Sequence, residues 1–266
     1  MYHDFHTHTN FSSDSNATME SMLQAGIKKG LKEICFTDHV EFDPAPSYKE
    51  EFFDPIVYRA EIERMRKIYE GQIDLRMGAE IGYQPHITSR MNQFINSVEF
   101  DFIICSLHST DKLDFHTREF FKSKTPEIAF ARYFEAYYEC VKSDLTFSVL
   151  GHFDFLKRYT TYNGERVFKD NFDIIEATFK KLIEKGKGIE VNTSGITRYQ
   201  LDQTLPSADF LRLYKELGGE IITTGSDAHN PEHVGEHFDV TCDLLKAIGF
   251  KYICRFEKMQ PEFIKI

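Results

Sequence analysis

His6 and His8, one residue apart near the start of the chain, are the first residues whose type and spacing could do chemistry. In an extended strand, residues i and i+2 point to the same face, so the two imidazoles would lie side by side as metal ligands do. Asp14 follows six residues after His8, which leaves room to turn through Ser12 and Ser13 and bring a carboxylate beside that face. Taken alone, a His-x-His pair is equally an ordinary feature of a sheet edge. The pattern recurs, however: His39, Glu80, His108, His152, Asp227 and His229 each stand at or shortly after the end of an apolar run.

Nitrogen and oxygen donors without thiolates suit Zn, Mn or Fe in divalent form, and nine such groups are too many for one ion. Two to three divalent metal ions would share them, with Glu80 as the natural bridge between two ions ~3.5–4 Å apart that activate water. Without metal, nine ionisable groups converging on one place would be costly to bury. Of these, Glu80, Asp227 and His229 are the expected catalytic groups.

The elements that must position these residues alternate along the chain. Strand-like runs at Glu33–Thr37, Asp74–Ala79, Phe102–Leu107, Thr146–Leu150, Gly188–Asn192, Glu220–Thr224 and Lys251–Phe256 are separated by segments with helical periodicity. Thr125 followed by Pro126 marks a helix start running to Lys142, and a last helix is expected over His233–Ala247. Alternation of this kind predicts a parallel sheet with helices outside it. Candidate ligands at the C-terminal ends of so many strands favour a closed or nearly closed barrel, which gathers those ends at one mouth. No Gly-rich phosphate fingerprint follows the first strand, so a dinucleotide-binding sheet is disfavoured.

The chain has 266 residues and no linker-like stretch, consistent with one domain over 1–266. Five cysteines, widely spaced and never paired as Cys-x-x-Cys, argue against disulfides and against a thiolate metal site. No apolar run approaches a membrane span, and the first residues lead into a ligand-bearing strand rather than a targeting segment, so a cytoplasmic protein is expected. A formal charge of −10 opposes tracking of a nucleic-acid backbone. It leaves room for a small phosphorylated substrate, which needs only a local group of cations.

Taken together, His6-Thr7-His8 with Asp14, Thr37-Asp38-His39, Gly78-Ala79-Glu80, Ser106-Leu107-His108-Ser109, Gly151-His152-Phe153-Asp154 and Gly225-Ser226-Asp227-Ala228-His229 give the chain a family resemblance. It resembles the PHP (polymerase and histidinol phosphatase) superfamily of metal-dependent phosphoesterases over essentially its whole length, and within it the histidinol-phosphate phosphatases. The resemblance implies a distorted (β/α)7 TIM-like barrel and a trinuclear site. One metal would take His6, His8, Glu80 and Asp227, a second Glu80, His108 and His152, and a third Asp14, His39 and His229. Many relatives have His at the place of Asp14. The implied substrate is L-histidinol phosphate, hydrolysed within histidine biosynthesis. Two other readings stay open: action on nucleotides or nucleic-acid ends, and a degenerate regulatory metal-binding protein.

Arg158 and Arg198 follow the fifth and sixth strands and are candidates to grip a phosphate through paired hydrogen bonds, with Arg118 a third. Asp43, Glu119 or Asp154 could meet a substrate ammonium. His233 and His237 share a face of the expected last helix but read as solvated, and His3, His86 and His116 read as structural or surface residues. The aromatic group Tyr133, Phe134, Tyr137 and Tyr138 reads as core.

Overall fold

The structure, a computed structural model, describes residues 2–160, 164–199 and 201–266. Its strands are β1 (His3–Thr7), β2 (Glu33–Phe36), β3 (His39–Glu41), β4 (Asp74–Gly82), β5 (Phe102–Ser106), β6 (Ser109–Thr110), β7 (Leu113–Asp114), β8 (Val149–Leu150), β9 (Gly188–Asn192), β10 (Ile222–Gly225), β11 (Tyr252–Glu257) and β12 (Gln260–Lys265). Its helices are α1 (Met19–Lys28), α2 (Pro55–Ile68), α3 (Thr88–Ile95), α4 (Pro126–Lys142), α5 (Gly164–Asp170), α6 (Phe172–Glu184), α7 (Ser194–Thr197), α8 (Ala208–Glu216) and α9 (Phe238–Ile248). None of them is long and apolar enough to cross a membrane.

Seven parallel staves follow the order β1-β2-β4-β5-β8-β9-β10. β2 pairs with the first half of β4 and β3 with its second half, so these two short strands make one stave, interrupted at Thr37 and Asp38. The ring is brought nearly closed between β10 and β1. There Thr7 bridges Ala228, the Asp227 amide donates to the His6 carbonyl at 2.7 Å, and the His8 amide donates to the Ala228 carbonyl at 2.8 Å. Asp4 reinforces this seam, its buried carboxylate accepting from the Ser226 amide and hydroxyl and from the Gly235 amide.

Alternation along β5 divides the core. Ile103 and Cys105 belong to the large outer cluster, packed between strands and helices, where Tyr133, Phe134 and Tyr137 are fully buried. Phe102 and Ile104 belong to a smaller inner cluster with Phe5, Cys35 and Val149, plugged by Cys254 and Phe256 of β11. The register of β1 against β2 slips between Asp4 and Thr7, an extra residue that lets Phe5 join this plug while His6 reaches the site.

Several boundaries differ from the sequence expectation. β8 is two residues long, and Glu80 lies inside β4 rather than beyond it. The expected helix over His233–Ala247 begins only at Phe238. Pro231 opens a short 3-10 turn to His233, and Gly235 and His237 then take left-handed backbone, which ends any continuous helix. The last strand is no barrel stave: β11 turns through left-handed Lys258 and Met259 to pair antiparallel with β12.

Candidate metal centre and active-site cavity

The C-terminal mouth of the barrel holds a cavity of about 480 Å³. β1 carries His6, with His8 just beyond it; β3 starts with His39, and β4 carries Glu80. His108, His152, Asp227 and His229 lie on the segments leaving β5, β8 and β10, and Asp14 on the turn after β1. All nine predicted ligands therefore come together.

Their atoms crowd closely. The Nε2 atoms of His6 and His8 are 3.0 Å apart, and both lie 3.3–3.7 Å from carboxylate oxygens of Glu80 and Asp227. On its other side Glu80 Oε1 is 2.9 Å from His152 Nε2 and 3.4 Å from His108 Nε2, while Oε2 is 3.0 Å from His39 Nδ1. Asp14 Oδ2 is 3.6 Å from His39 Nε2 and 3.0 Å from His229 Nε2. The tightest groups of three donors are His6, His8 and Glu80; His39, Glu80 and His108; and His8, His39 and His229, a grouping that overlaps the three ligand sets implied by the family resemblance without reproducing them.

Outer partners fix the rings. His6 Nδ1 donates to Glu190 Oε1 at 2.6 Å, His108 Nδ1 to Glu41 Oε1 at 2.5 Å, and His229 Nδ1 to the Asp227 carbonyl at 2.9 Å. Spending the Nδ1 protons outward leaves the Nε2 lone pairs facing the cluster, the arrangement in which carboxylate-held histidines bind metal. Glu190 also accepts from the His152 amide at 2.8 Å, tying two ligand segments together. Such an arrangement needs close backbone approach: a Cβ on Gly225 would fall within 2.4 Å of His6 Cβ and of a Glu190 oxygen.

Glu41 and Glu190 were not among the residues singled out from the sequence. A signal existed for both, since Glu41 is i+2 from His39 on one strand face, and Glu190 is a charge inside the apolar run Gly188–Asn192. Burying a glutamate in such a run demands a partner.

Charge is intensely coupled here. Burial drives His6 down, but Glu190, Glu80 and Asp227 outweigh it and raise it well above the ordinary histidine range. His39 is raised in the same way by Glu80 and Asp14, and His108 reaches about 10 through Glu41 and Glu80 despite burial. His8 is pushed well down by burial and by His229 and His39. Glu80 and Asp227 fall well below the carboxylate range, because the neighbouring histidines overcome burial. The donor set fits divalent metal on a further count: His39 Nδ1, buried and 3.0 Å from Glu80 Oε2, has no aligned hydrogen-bond partner.

Both arginines after the fifth and sixth staves line the cavity. Arg158 lies over the Tyr199 ring, 3.9 Å from its centroid, and has no carboxylate partner among the described residues. Arg198 is engaged differently, donating from Nη1 to the Asp227 carbonyl at 2.6 Å and from Nη2 to that of Ser226. Arg118 is exposed, caps a 3-10 turn and does not line the cavity. None of the three acids proposed for an ammonium lines it either. Asp43 pairs with His86 and Lys112, Glu119 accepts from Ser47, and Asp154 is fully buried against Lys157. The acids that do line it beyond the ligands are Glu41, Glu51 and Asp114, joined by His116 and His233.

A nearly closed parallel barrel with histidines and carboxylates converging at its C-terminal mouth defines a metal-binding barrel hydrolase. The PHP domain family matches residues 4–194, and the chain belongs to that family. It is 30% identical over 260 residues to the histidinol-phosphatase of Lactococcus lactis, covering 97% of this chain and 95% of that protein. It is also 30% identical over 259 residues to a probable histidinol-phosphatase of Clostridium acetobutylicum, covering 97% and 98%. Among solved structures, the L. lactis histidinol phosphate phosphatase complexed with Zn, L-histidinol and phosphate superposes with a TM-score of 0.86 at 28% identity, covering 98% of both chains.

Proposed function

We propose that this protein is a histidinol-phosphatase, a phosphomonoesterase that hydrolyses L-histidinol phosphate to L-histidinol and phosphate in histidine biosynthesis. The observation that carries the reading is one cavity lined by seven of the nine candidate ligands beside Arg158, a guanidinium without a carboxylate partner among the described residues in a chain of formal charge −10. Behind those seven, the fully buried His6 and His8 pack against Glu80 and Asp227. The likeness to a relative whose structure holds Zn, L-histidinol and phosphate supports the same substrate.

The ligands are His6, His8, Asp14, His39, Glu80, His108, His152, Asp227 and His229, and Glu80 is placed to serve two ions. Divalent metals held there would supply Lewis-acid charge at phosphorus and a water acidified for attack. The chain does the positioning. Arg158 offers a planar fork to the phosphate oxygens, and the Tyr199 face keeps it extended over the cavity. Phe155, beside His152 at 4.5 Å between ring centroids, keeps that wall apolar and limits water. Glu51 and Asp114, lining the same cavity, provide the anionic end that a substrate ammonium requires. A cytoplasmic location is part of this reading, and the five free, buried cysteines are compatible with a reducing compartment.

Steady-state kinetics on metal-loaded enzyme should give histidinol phosphate a higher kcat/KM than p-nitrophenyl phosphate, a nucleotide or a single-stranded oligonucleotide. Elemental analysis of the same preparation should find two to three equivalents of Zn, Mn or Fe. Faster turnover of the oligonucleotide would replace the phosphatase reading with a nuclease one, and at most one equivalent after reconstitution would end the trinuclear assignment.

A further inference from the structure

The segment after β8 carries two stripes of side chains. From Phe155 to Tyr159 the backbone is a 3-10 helix, in which residues three apart eclipse one another. His152, Phe155 and Arg158 therefore form one stripe, and all three line the cavity. Phe155 lies 4.5 Å from the His152 ring and 5.5 Å from the Arg158 guanidinium. Asp154 and Lys157 form the other stripe, turned into the protein. They are 0% and 3% exposed and meet at 2.5 Å.

This ion pair is bound to a second element. Lys157 Nζ donates to Ser207 Oγ at 2.9 Å and sits 4.9 Å from the Phe210 ring centroid, while the Ser207 amide donates to Asp154 Oδ2 at 3.1 Å. Ser207 starts α8 without a side-chain capping bond of its own. Asp154 Oδ1 is buried with no hydrogen-bond partner, so the carboxylate does its work through one oxygen. A buried pair of this kind adds little net stability over an apolar pair of the same size, because desolvation offsets attraction. Its effect is to fix geometry.

We propose that Asp154 and Lys157 are positioning residues that clamp the 3-10 turn to the start of α8, and so set the place of Arg158 relative to His152. The pair governs phosphate affinity without touching phosphate. This rests on the reading of Arg158 as the phosphate grip, so the test includes Arg158→Ala. Inorganic phosphate serves as the probe, through its inhibition of p-nitrophenyl phosphate hydrolysis by metal-loaded enzyme.

Lys157→Met should raise the phosphate inhibition constant by about tenfold, the loss of roughly one well-placed charged hydrogen bond at the grip. KM should rise more than kcat falls, and bound metal should stay at the wild-type level. Asp154→Asn/Lys157→Met should be no worse than either single change, because the two act as one unit. Ser207→Ala, which trims the clamp and leaves the pair, should give a smaller rise in the same direction and serves if Lys157→Met does not fold. If Arg158→Ala weakens phosphate while neither Lys157→Met nor Ser207→Ala does, the clamp is wrong and the grip stands. Loss of metal in proportion to loss of affinity would also overturn the clamp. If Arg158→Ala itself leaves phosphate inhibition unchanged, the phosphate grip is the failed premise.

Discussion

Glu190 never reaches the cavity, yet it orients His6 through Nδ1 and holds the His152 amide. Removing such an outer carboxylate while keeping its shape should loosen metal rather than unfold the barrel. Glu190→Gln is expected to lower metal affinity about 10- to 100-fold, the usual cost of losing an outer-shell partner. Competition against a chromogenic chelator measures it, and wild-type affinity would show that the hydrogen bond does not tune the ligand. Proton release tests the same cluster. In metal-free protein His6, His39 and His108 are all raised, so each carries a proton at neutral pH that a metal must displace. Metal uptake at pH 7 should therefore expel more than one proton per protein, and affinity should climb as pH rises toward the value of about 10 at His108. Calorimetry in two buffers of different ionisation enthalpy would reveal this, and a buffer-independent heat would refute it.

At the scale of elements, the sequence was most readable where one local rule decided the outcome. Pro126 after Thr125 opens α4, and Thr125 caps it by accepting from the Ile128 amide. The candidate ligands were readable because they interrupt apolar runs with groups that have no structural reason to be there. Legibility failed where tertiary contact decides. Apolar spacing runs on across Gly235, so His233–Ala247 reads as one helix, and only the left-handed residues between His233 and Phe238 divide it. Likewise β11 has the pattern of a barrel strand but is a plug. Its Phe256 packs 5.0 Å from Phe102 inside the ring. Phe256→Ala should cost about 3–5 kcal/mol and lower Tm by roughly 10 °C, with metal content intact in the folded protein. A thermal melt that moves by less than about 2 °C would mean the hairpin contributes little to the barrel.

Across the whole molecule, the proposed ligands are drawn from nearly every stave, so bound metal should act as a circumferential tie. Binding to the folded state alone stabilises it by mass action, about 4 kcal/mol at a thousandfold excess over Kd. Stripping the metals with a chelator should lower Tm by several degrees, and reloading should restore it. An unchanged melt would show that the cluster is held open by the scaffold without help. The same convergence explains why barrel and mouth could be foreseen but not their completion: the seam between β10 and β1 rests on pairings such as Asp4 with Ser226 that no local pattern announces.

Those two residues stand 222 positions apart, and the closing contacts run through the very segments that bear His6, His8, Asp227 and His229. On a ribosome, the first imidazoles emerge long before the last carboxylate with which, on the proposed assignment, they would share an ion. A nascent chain therefore has donors on offer without a finished cage, and any ion it picks up early is held by a partial set. Loop closure over such a span is slow compared with local helix formation. The joining of the oldest and youngest staves would then be the moment at which a folding barrel becomes an enzyme, and cation supply at that moment could govern which metals it keeps.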